Sequence, residues 1–228
     1  MNHQQHRKPR RGRLTPAGRA VRVGLLATIG FTGVATALPA QAATGVAVAD
    51  DSAHTLASPA QPDRFQDSFT VHQYGTLLAA SATNQADAFA AGCSAAAPCR
   101  SVALSFQIVT MAGENVHLNA VNLSKAENEH CAGCQTLAGA YQFIISTPEP
   151  FRLSTADMRQ LDGIHDQLNA LSRSDESTTA VQNQADALAA QVLAVLNAAA
   201  ANAPSGGGGT AAARTPRPAV SMHRMFTL

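Results

Sequence analysis

The chain contains an internal repeat that pairs a cysteine with a strand-like segment. Cys99-Arg-Ser-Val-Ala-Leu-Ser-Phe-Gln-Ile-Val recurs 35 residues later as Cys134-Gln-Thr-Leu-Ala-Gly-Ala-Tyr-Gln-Phe-Ile. Each copy follows a second cysteine, which is Cys93 in the first copy and Cys131 in the second. A repeat of this kind indicates one supersecondary unit used more than once. It therefore constrains the architecture strongly and the chemistry hardly at all.

Both copies of the repeat have the alternation of a β-strand with one apolar face. The apolar positions are Val102, Leu104, Phe106 and Ile108 in the first copy and Leu137, Tyr141, Phe143 and Ile145 in the second. Gly139 stands where the first copy has Leu104. Because Phe106 and Tyr141 occupy the same place in the two copies, we expect both rings in one shared core.

An alanine-rich segment precedes the first cysteine pair and a short polar-apolar segment precedes the second, and both predict crossover helices. Residues 79–91 end at Gly92, a natural helix C-cap, and residues 119–129 form a second candidate. Helical crossovers between successive strands favour parallel, right-handed βαβ units. We therefore expect an α+β fold across residues 63–150, with a small sheet of about three strands in βαβαβ order.

Residues 151–203 predict two further helices that form a C-terminal αα-hairpin. The first begins at Ser154, with Asp157 in the position of a capping box. The second has a narrow apolar seam from Val181 to Ala199, which suits packing on the first helix or on a second copy of the chain. Residues 43–62 predict a disordered spacer, and the Gly/Pro-rich residues 204–228 predict a disordered tail.

The first 42 residues have the order of a secretory signal peptide. A basic run from Arg7 to Arg22 precedes an uncharged apolar run from Val23 to Leu38, and Pro39-Ala-Gln-Ala42 offers a small-x-small cleavage site. The predicted location is therefore secreted or at the cell surface. An uncleaved membrane anchor with its basic end in the cytoplasm is the alternative.

Removal of this segment reverses the sign of the net charge. Nine basic and fifteen acidic residues remain, so the exported chain has a net charge of −6 instead of the +1 of the full sequence. A nucleic-acid-binding domain needs a basic face to neutralise phosphates. We therefore expect no nucleic acid among the partners, and no membrane once the signal is cleaved.

Four cysteines in an exported chain predict disulfides, because export leads to an oxidising compartment. Four cysteines allow three pairings, and one pair in each repeat unit favours Cys93 with Cys99 and Cys131 with Cys134. Two alternatives remain at this stage. One is a zinc site made of all four thiolates, and the other is redox activity of Cys131-Ala-Gly-Cys134.

The other candidate groups are weaker. His165 lies near Asp162 and Asp166 on the first predicted C-terminal helix, where a solvated polar edge is the interpretation we favour over a metal site. Asp87, Glu127 and Glu129 are interpreted as exposed helix charges. The sequence has no Gly-x-Ser-x-Gly, His-Glu-x-x-His or phosphate-loop motif. We therefore predict no catalytic residues, no metal and no cofactor.

The motif Cys-x2-Cys-x-Thr-x-Ala-x-Ala-x-Gln resembles a secreted Cys-x2-Cys repeat domain of streptomycetes and related actinobacteria. Such domains commonly carry the name of a peptide zinc metalloprotease. The resemblance covers about Phe65 to Leu171, and its specific part is Cys99–Val109 and Cys131–Ile145. It implies export and paired cysteines. The first cysteine spacing departs from the pattern, with five intervening residues in place of two, and the missing zinc-protease motif means that the name implies no activity here.

These observations predict a non-enzymatic, disulfide-stapled module that binds another protein or itself. A redox or enzyme-accessory protein acting through Cys131 and Cys134 is the rival hypothesis.

The signal peptide predicts where the exported chain begins. N-terminal sequencing of protein recovered from culture supernatant should start at or near Ala43, because cleavage after an Ala-x-Ala site removes the basic and apolar runs. Full-length chain in the membrane fraction would instead show that the apolar run is an anchor.

Overall fold

The computed structural model describes residues 35–36, 45–113, 115–203 and 218–228. Its strands are β1 (Ala35–Thr36), β2 (Gly45–Ala57), β3 (Asp63–Ala91), β4 (Arg100–Ala112), β5 (His117–Glu129), β6 (Gln135–Thr147) and β7 (Ala219–Thr227). Its helices are α1 (Thr155–Ala170) and α2 (Thr178–Ala201), and a short 3-10 turn, Leu171–Arg173, follows α1.

The strands wind between two sheets that face each other. Sheet A contains β1, the first half of β3 (63–76), β4, β6 and the antiparallel β7. Sheet B contains β2, the second half of β3 (77–91) and β5. From β2 to β6 the chain alternates between the sheets, and each strand lies parallel to its neighbours. The fold is therefore a parallel β-solenoid with two sheets.

The sequence repeat corresponds to one turn of this solenoid. Its two copies lie in β4 and β6, which are parallel neighbours with Phe106 opposite Tyr141 and Gln107 opposite Gln142. Equivalent residues therefore stack from turn to turn at the same level of the sheet. The rings of Phe106 and Tyr141 are stacked, with centroids 4.3 Å apart, and both side chains are fully buried.

Small side chains fill the space between the two sheets. Every second residue of β2 and of the second half of β3 points inward, and most of these residues are alanines, namely Ala47, Ala49, Ala53, Ala57, Ala80, Ala82, Ala86, Ala88 and Ala90. Ala103, Ala138 and Ala140 of sheet A meet them from the other side. The many methyl groups let the two sheets approach closely, and Leu77, Val109, Met111 and Ile144 fill the interior at the end away from the cysteines.

Most of the large apolar side chains lie on the other face of sheet A, beneath α1 and α2. Phe106, Tyr141 and Phe143 pack there against Leu161 of α1 and Leu196 of α2. α1 begins with a capping box, in which Ser154 and Asp157 each bond the backbone N–H of the other. The fold therefore has three layers, in the order sheet B, sheet A and helices.

Strand β7 covers the last edge of sheet A by pairing with β6. Phe226 of β7 packs edge-on against Tyr141 with ring centroids 5.5 Å apart. A Cβ at Gly139 would lie 2.9 Å from Leu104 Cδ2 and 3.2 Å from Phe226 Cε1. The one gap in the apolar pattern of the repeat is therefore the place where Phe226 and Leu104 meet.

The expected α+β fold, a small sheet with crossover helices in βαβαβ order, is wrong. The predicted helices at 79–91 and 119–129 are strands, the second half of β3 and β5, and they form sheet B. Alanine favours a helix locally, but its small side chain here allows two sheets to pack closely. Tertiary packing has overridden local propensity, as it often does in strands.

Two segments predicted to be disordered contain strands. The spacer at 43–62 includes β2. Its inward residues are mostly small and its outward residues mix Val46, Val48 and Leu56 with polar residues, so the strand has no clear apolar alternation. The tail at 204–228 includes β7, which is ordered by pairing with β6. The signal peptide lies outside the described residues except for Ala35–Thr36, and residues 204–217 lie outside them as well.

The apolar seam of α2 faces the interior of the fold. Its residues Val181, Ala185, Leu188, Val192, Val195 and Ala199 are all buried. By length and composition alone α2 could cross a membrane, and 39% of its most apolar window is buried in this fold. The seam is thus occupied by the chain's own core and offers no surface to a second copy.

The stacked rings between sheet A and the helices should contribute strongly to stability. Phe106→Ala should lower the free energy of unfolding by about 3–5 kcal/mol, because it leaves a cavity in a closely packed core. Chemical denaturation with the partly exposed Phe89→Ala as control is the measurement. A loss below about 1 kcal/mol for Phe106→Ala, or an equal loss for both variants, would contradict this packing.

Candidate functional site

Three chain reversals stack at one end of the solenoid and bring the cysteines together. They connect β2 to β3 (58–62), β3 to β4 (92–99) and β5 to β6 (130–134). Arg100 N–H donates to Pro62 O at 2.7 Å, and Gln135 N–H donates to Cys99 O at 2.8 Å. Successive turns are therefore joined by backbone hydrogen bonds, and each sits directly on the one before.

The four cysteines form two disulfides, Cys93–Cys99 and Cys131–Cys134, each within a single turn. The disulfides that the sequence predicts are therefore present. Ala57 and Ala90 pack against them at this end of the interior. The two disulfides thus cover the cysteine end of the interior, where the neighbouring side chains are small.

The sulfur atoms of the two disulfides are close neighbours. The Sγ atoms of Cys93, Cys131 and Cys134 all lie within 4.8 Å of one another. The backbone N–H of Cys99 donates to Cys134 Sγ at 3.1 Å. Cys93 and Cys99 are buried, whereas Cys131 and Cys134 are partly exposed. This geometry groups all four cysteines into one site.

A cleft of about 250 Å³ lies beside the disulfides. Cys99, Arg100 and Gly133 line it from the solenoid, and Asp175 and Glu176 line it from the segment between the helices. Arg100 Nη1 is paired with Asp63 at 3.1 Å, while its Nε and Nη2 are buried without a hydrogen-bond partner among the described residues. The cleft therefore combines carboxylates, a guanidinium and a disulfide.

A second polar site lies in the interior, where amide side chains connect the two sheets. Gln107 Nε2 of sheet A is 3.1 Å from Ala49 O and 2.8 Å from Thr83 O of sheet B. Gln142 Nε2 repeats the arrangement one turn later, at 3.0 Å from Ala82 O and 3.2 Å from Val121 O. Gln142 Nε2 also lies 2.8 Å from Gln107 Oε1.

Asparagines of sheet B make the reciprocal contacts to sheet A. Asn84 Nδ2 reaches Ser105 O at 3.2 Å and Tyr141 O at 3.1 Å. Asn122 Nδ2 reaches Ala140 O and His223 O, both at 2.9 Å. We call Asn84, Asn122, Gln107 and Gln142 the amide ladder. Because it holds backbone carbonyls of both sheets, its function is structural.

Asp51 ends the ladder with a partly buried contact to His72. Its Oδ2 accepts from His72 Nε2 at 2.7 Å and from Gln107 Nε2 at 2.7 Å. Burial alone would raise the pKa of Asp51, but the hydrogen bond and positive charge of His72 and the hydrogen bond of Gln107 together hold this pKa below its usual value. The ionised carboxylate is thus the form that the fold stabilises.

The outer face of sheet B has no covering layer among the described residues. Val46, Val48 and Leu56 of β2 are 71%, 59% and 57% exposed, and Leu123 of β5 is 48% exposed. His54, Asp87 and Lys125 form a charged row across the same face. The outer face therefore combines exposed apolar side chains with polar and charged ones.

His165 is buried, so the interpretation as a solvated polar edge is wrong for this residue. Its ring stacks on Phe69 with centroids 5.0 Å apart, and Nε2 is 2.9 Å from Asp67 Oδ2. Asp162 and Asp166 point away from it and are exposed. The partner of His165 is therefore Asp67 of β3, which lies far from it in the sequence. The residues next to His165 in the sequence give no sign of this contact.

The three acidic residues interpreted as helix charges lie on strands of sheet B instead. Glu127 and Glu129 are exposed at the end of β5. Asp87 is partly buried and lies 3.0 Å from His54 Nδ1. They belong to the outer face described above.

Sequence reasoning missed the amide ladder and its Asp51–His72 end. One signal was present, because Gln107 and Gln142 occupy the same position in the two copies of the repeat. A glutamine kept on the inward side of two strands indicates a polar contact made once per turn. Asp51 and His72 have no such signal, since they lie on different strands outside the repeat.

The fold and the two polar sites define the class as a two-sheet parallel β-solenoid stapled by two disulfides. Comparison of the chain with protein-family models, with curated proteins and with solved structures finds no match.

The ion pair at the end of the ladder makes stability depend on pH. Asp51→Asn should lower the free energy of unfolding at neutral pH by about 1–3 kcal/mol, because His72 and Gln107 lose a charged acceptor. Since the native pKa is lowered, this contribution is complete above the unfolded pKa of about 3.9 and disappears as the pH falls through the native value.

The measurement is urea denaturation of both proteins between neutral pH and pH 3, with the exposed neighbour Asp50→Asn as control. The difference between wild type and Asp51→Asn should shrink below about pH 4. A difference that stays constant over this range would show that the carboxylate charge is not what stabilises the fold.

Proposed function

We propose that the chain is a secreted or cell-surface module, without enzymatic activity, that associates with a second copy of itself. The observation that carries this proposal is the uncovered outer face of sheet B with its exposed Val46, Val48, Leu56 and Leu123. Helices α1 and α2 cover the outer side of sheet A, whereas the outer side of sheet B is exposed among the described residues. The buried polar groups of the amide ladder bind backbone carbonyls of the chain itself, which supports a structural role for them.

The size of the outer face supports association with a second copy. Strands β2 and β5 are each 13 residues long, and with β3 between them they present about 600 Å², at about 4.8 Å per strand and 3.3 Å per residue. Two such faces together bury about 1,200 Å², which is the lower end of the range for specific interfaces.

The geometry of the strands supports face-to-face packing as the mode of association. A regular sheet with alternating side chains can pack on another sheet at a spacing of about 10 Å. The central rows of the face, from Val48 and Ser81 to Ser52 and Leu123, contain Asp50 as their one charged residue. The charged row of His54, Asp87 and Lys125 lies toward the cysteine end, where it forms the rim of such an interface.

The proposal predicts the effect of adding charge to the face. The double variant Val48→Lys/Leu123→Lys should weaken self-association at least about tenfold, because it places desolvated like charges opposite each other. Gln160→Lys, which adds a lysine on the exposed side of α1, is the control and should leave association unchanged. Sedimentation equilibrium of the three proteins is the measurement.

Two results would contradict self-association. One is a wild-type protein that stays monomeric up to about 1 mM, where an association is worth only about 4 kcal/mol. The other is an equal loss of association in both lysine variants. If the protein is monomeric and a different exported protein protects the outer face from hydrogen exchange, the face binds that partner instead.

A further inference from the structure

We propose that the two disulfides form a thiol–disulfide exchange site. In this site the accessible Cys131–Cys134 pair passes two electrons to the buried Cys93–Cys99 pair. The substrate class is a dithiol, either a small molecule or a protein thiol pair. The exchange consumes the Cys93–Cys99 bond once per molecule, so it is a stoichiometric reaction and not enzymatic turnover. It does not involve the outer face of sheet B, so its test is separate from the test of self-association.

The positions of the sulfur atoms carry the proposal. Cys93 Sγ belongs to one turn and lies within 4.8 Å of both sulfurs of the next turn. Exchange proceeds by attack of a thiolate on a disulfide sulfur through a mixed disulfide. The backbone hydrogen bond from Gln135 N–H to Cys99 O keeps the two turns in contact. The attacking and attacked atoms are therefore neighbours before any segment moves.

The difference in burial determines which of the two disulfides an external thiol reaches first. Cys93 and Cys99 are 5% and 2% exposed, so an external thiol has little access to them. Cys131 and Cys134 are partly exposed. A dithiol thus meets Cys131–Cys134 first.

The first reaction uses the external dithiol as reductant. One of its thiolates attacks a sulfur of Cys131–Cys134, which breaks that bond and forms a mixed disulfide. Its second thiolate then attacks the mixed disulfide and leaves as part of the oxidised dithiol. Cys131 and Cys134 each end as a thiol, having taken up two electrons and two protons in total.

The second reaction moves these electrons between turns. The Cys131 thiolate attacks Cys93 Sγ, the Cys93–Cys99 bond breaks and its electron pair leaves on Cys99. The Cys134 thiolate then attacks Cys131 Sγ in the Cys93–Cys131 bridge and releases Cys93. Cys131–Cys134 is re-formed, and Cys93 and Cys99 hold the two protons. Cys99 N–H, 3.1 Å from Cys134 Sγ, provides a donor for the negative charge on that sulfur.

A single substitution isolates the transfer between turns. Cys134→Ser leaves Cys131 without its partner, and we expect it to attack Cys93 and give a Cys93–Cys131 bridge with Cys99 free. No external oxidant or reductant is needed, because one disulfide bond replaces another. Cys131→Ser is the matched variant, with Cys134 as the attacking residue in its place.

Trypsin reports the new bridge directly. It cleaves after Arg64, Arg100, Lys125 and Arg152, so Cys93 and Cys99 share the peptide 65–100 while Cys131 and Cys134 share 126–152. After free thiols are alkylated, non-reducing mass spectrometry should show these two peptides separate in the wild type. In Cys134→Ser and Cys131→Ser they should be covalently linked.

Ser52→Cys is the control for exchange caused by any added thiol. It adds an exposed cysteine on the outer face of sheet B and should leave the two peptides separate. Separate peptides in both single variants, with the remaining cysteine alkylated and Cys93–Cys99 intact, would overturn the proposal. So would linkage of the two peptides in Ser52→Cys to the same extent.

A second measurement uses the unaltered protein, in case the single variants do not fold. Wild type is treated with one equivalent of dithiothreitol, quenched with acid, alkylated and mapped with the same peptides. The proposal predicts label on Cys93 and Cys99, whereas label confined to Cys131 and Cys134 would overturn it. In the folded Cys131→Ser/Cys134→Ser variant, reduction of Cys93–Cys99 should be at least about tenfold slower, because the accessible attacking thiol is gone.

Discussion

The amide ladder is the interaction on which the rest of this fold depends. Gln107 and Gln142 of sheet A and Asn84 and Asn122 of sheet B each reach backbone carbonyls of two neighbouring strands in the opposite sheet. Such contacts require the sheets to lie close together, and an interior of alanines permits this. Buried amides are costly when they lack partners, so the ladder also sets the register. A shift of one residue would turn every amide toward the wrong face.

The close approach of the two sheets also determines which layers contribute most of the hydrophobic stabilisation. Alanine side chains bury little apolar area, so the space between the sheets contributes less hydrophobic stabilisation than its length suggests. The large apolar residues lie instead between sheet A and the helices, around Phe106, Tyr141 and Leu161. The disulfides close the cysteine end, where the small interior would otherwise meet water. Sheet B, which has no helix on its outer side among the described residues, is the surface that we propose for association.

The stacked turns bring together groups that are far apart in the sequence. Cys93 and Cys131 approach because each closes a turn at the same end of the solenoid. The pairs Asp51–His72 and Asp67–His165 likewise join different turns or layers. For the cysteines, the stacking of turns places equivalent positions one above another, so groups of one turn lie next to groups of the next turn. The exchange site is a consequence of this stacking.

The sequence by itself determined the repeat, the alternation of Phe106 and Tyr141 with Gln107 and Gln142, and the presence of disulfides. These depend on spacing along one segment, which is local information. Only the tertiary structure decided that the segments at 79–91 and 119–129 are strands. The first is alanine-rich, and alanine suits both a helix and a tightly packed sheet. The tertiary structure also decided that β7 pairs with β6 and that the two disulfides touch. Those outcomes depend on which distant strands become neighbours, and a pattern read along one segment does not contain that choice.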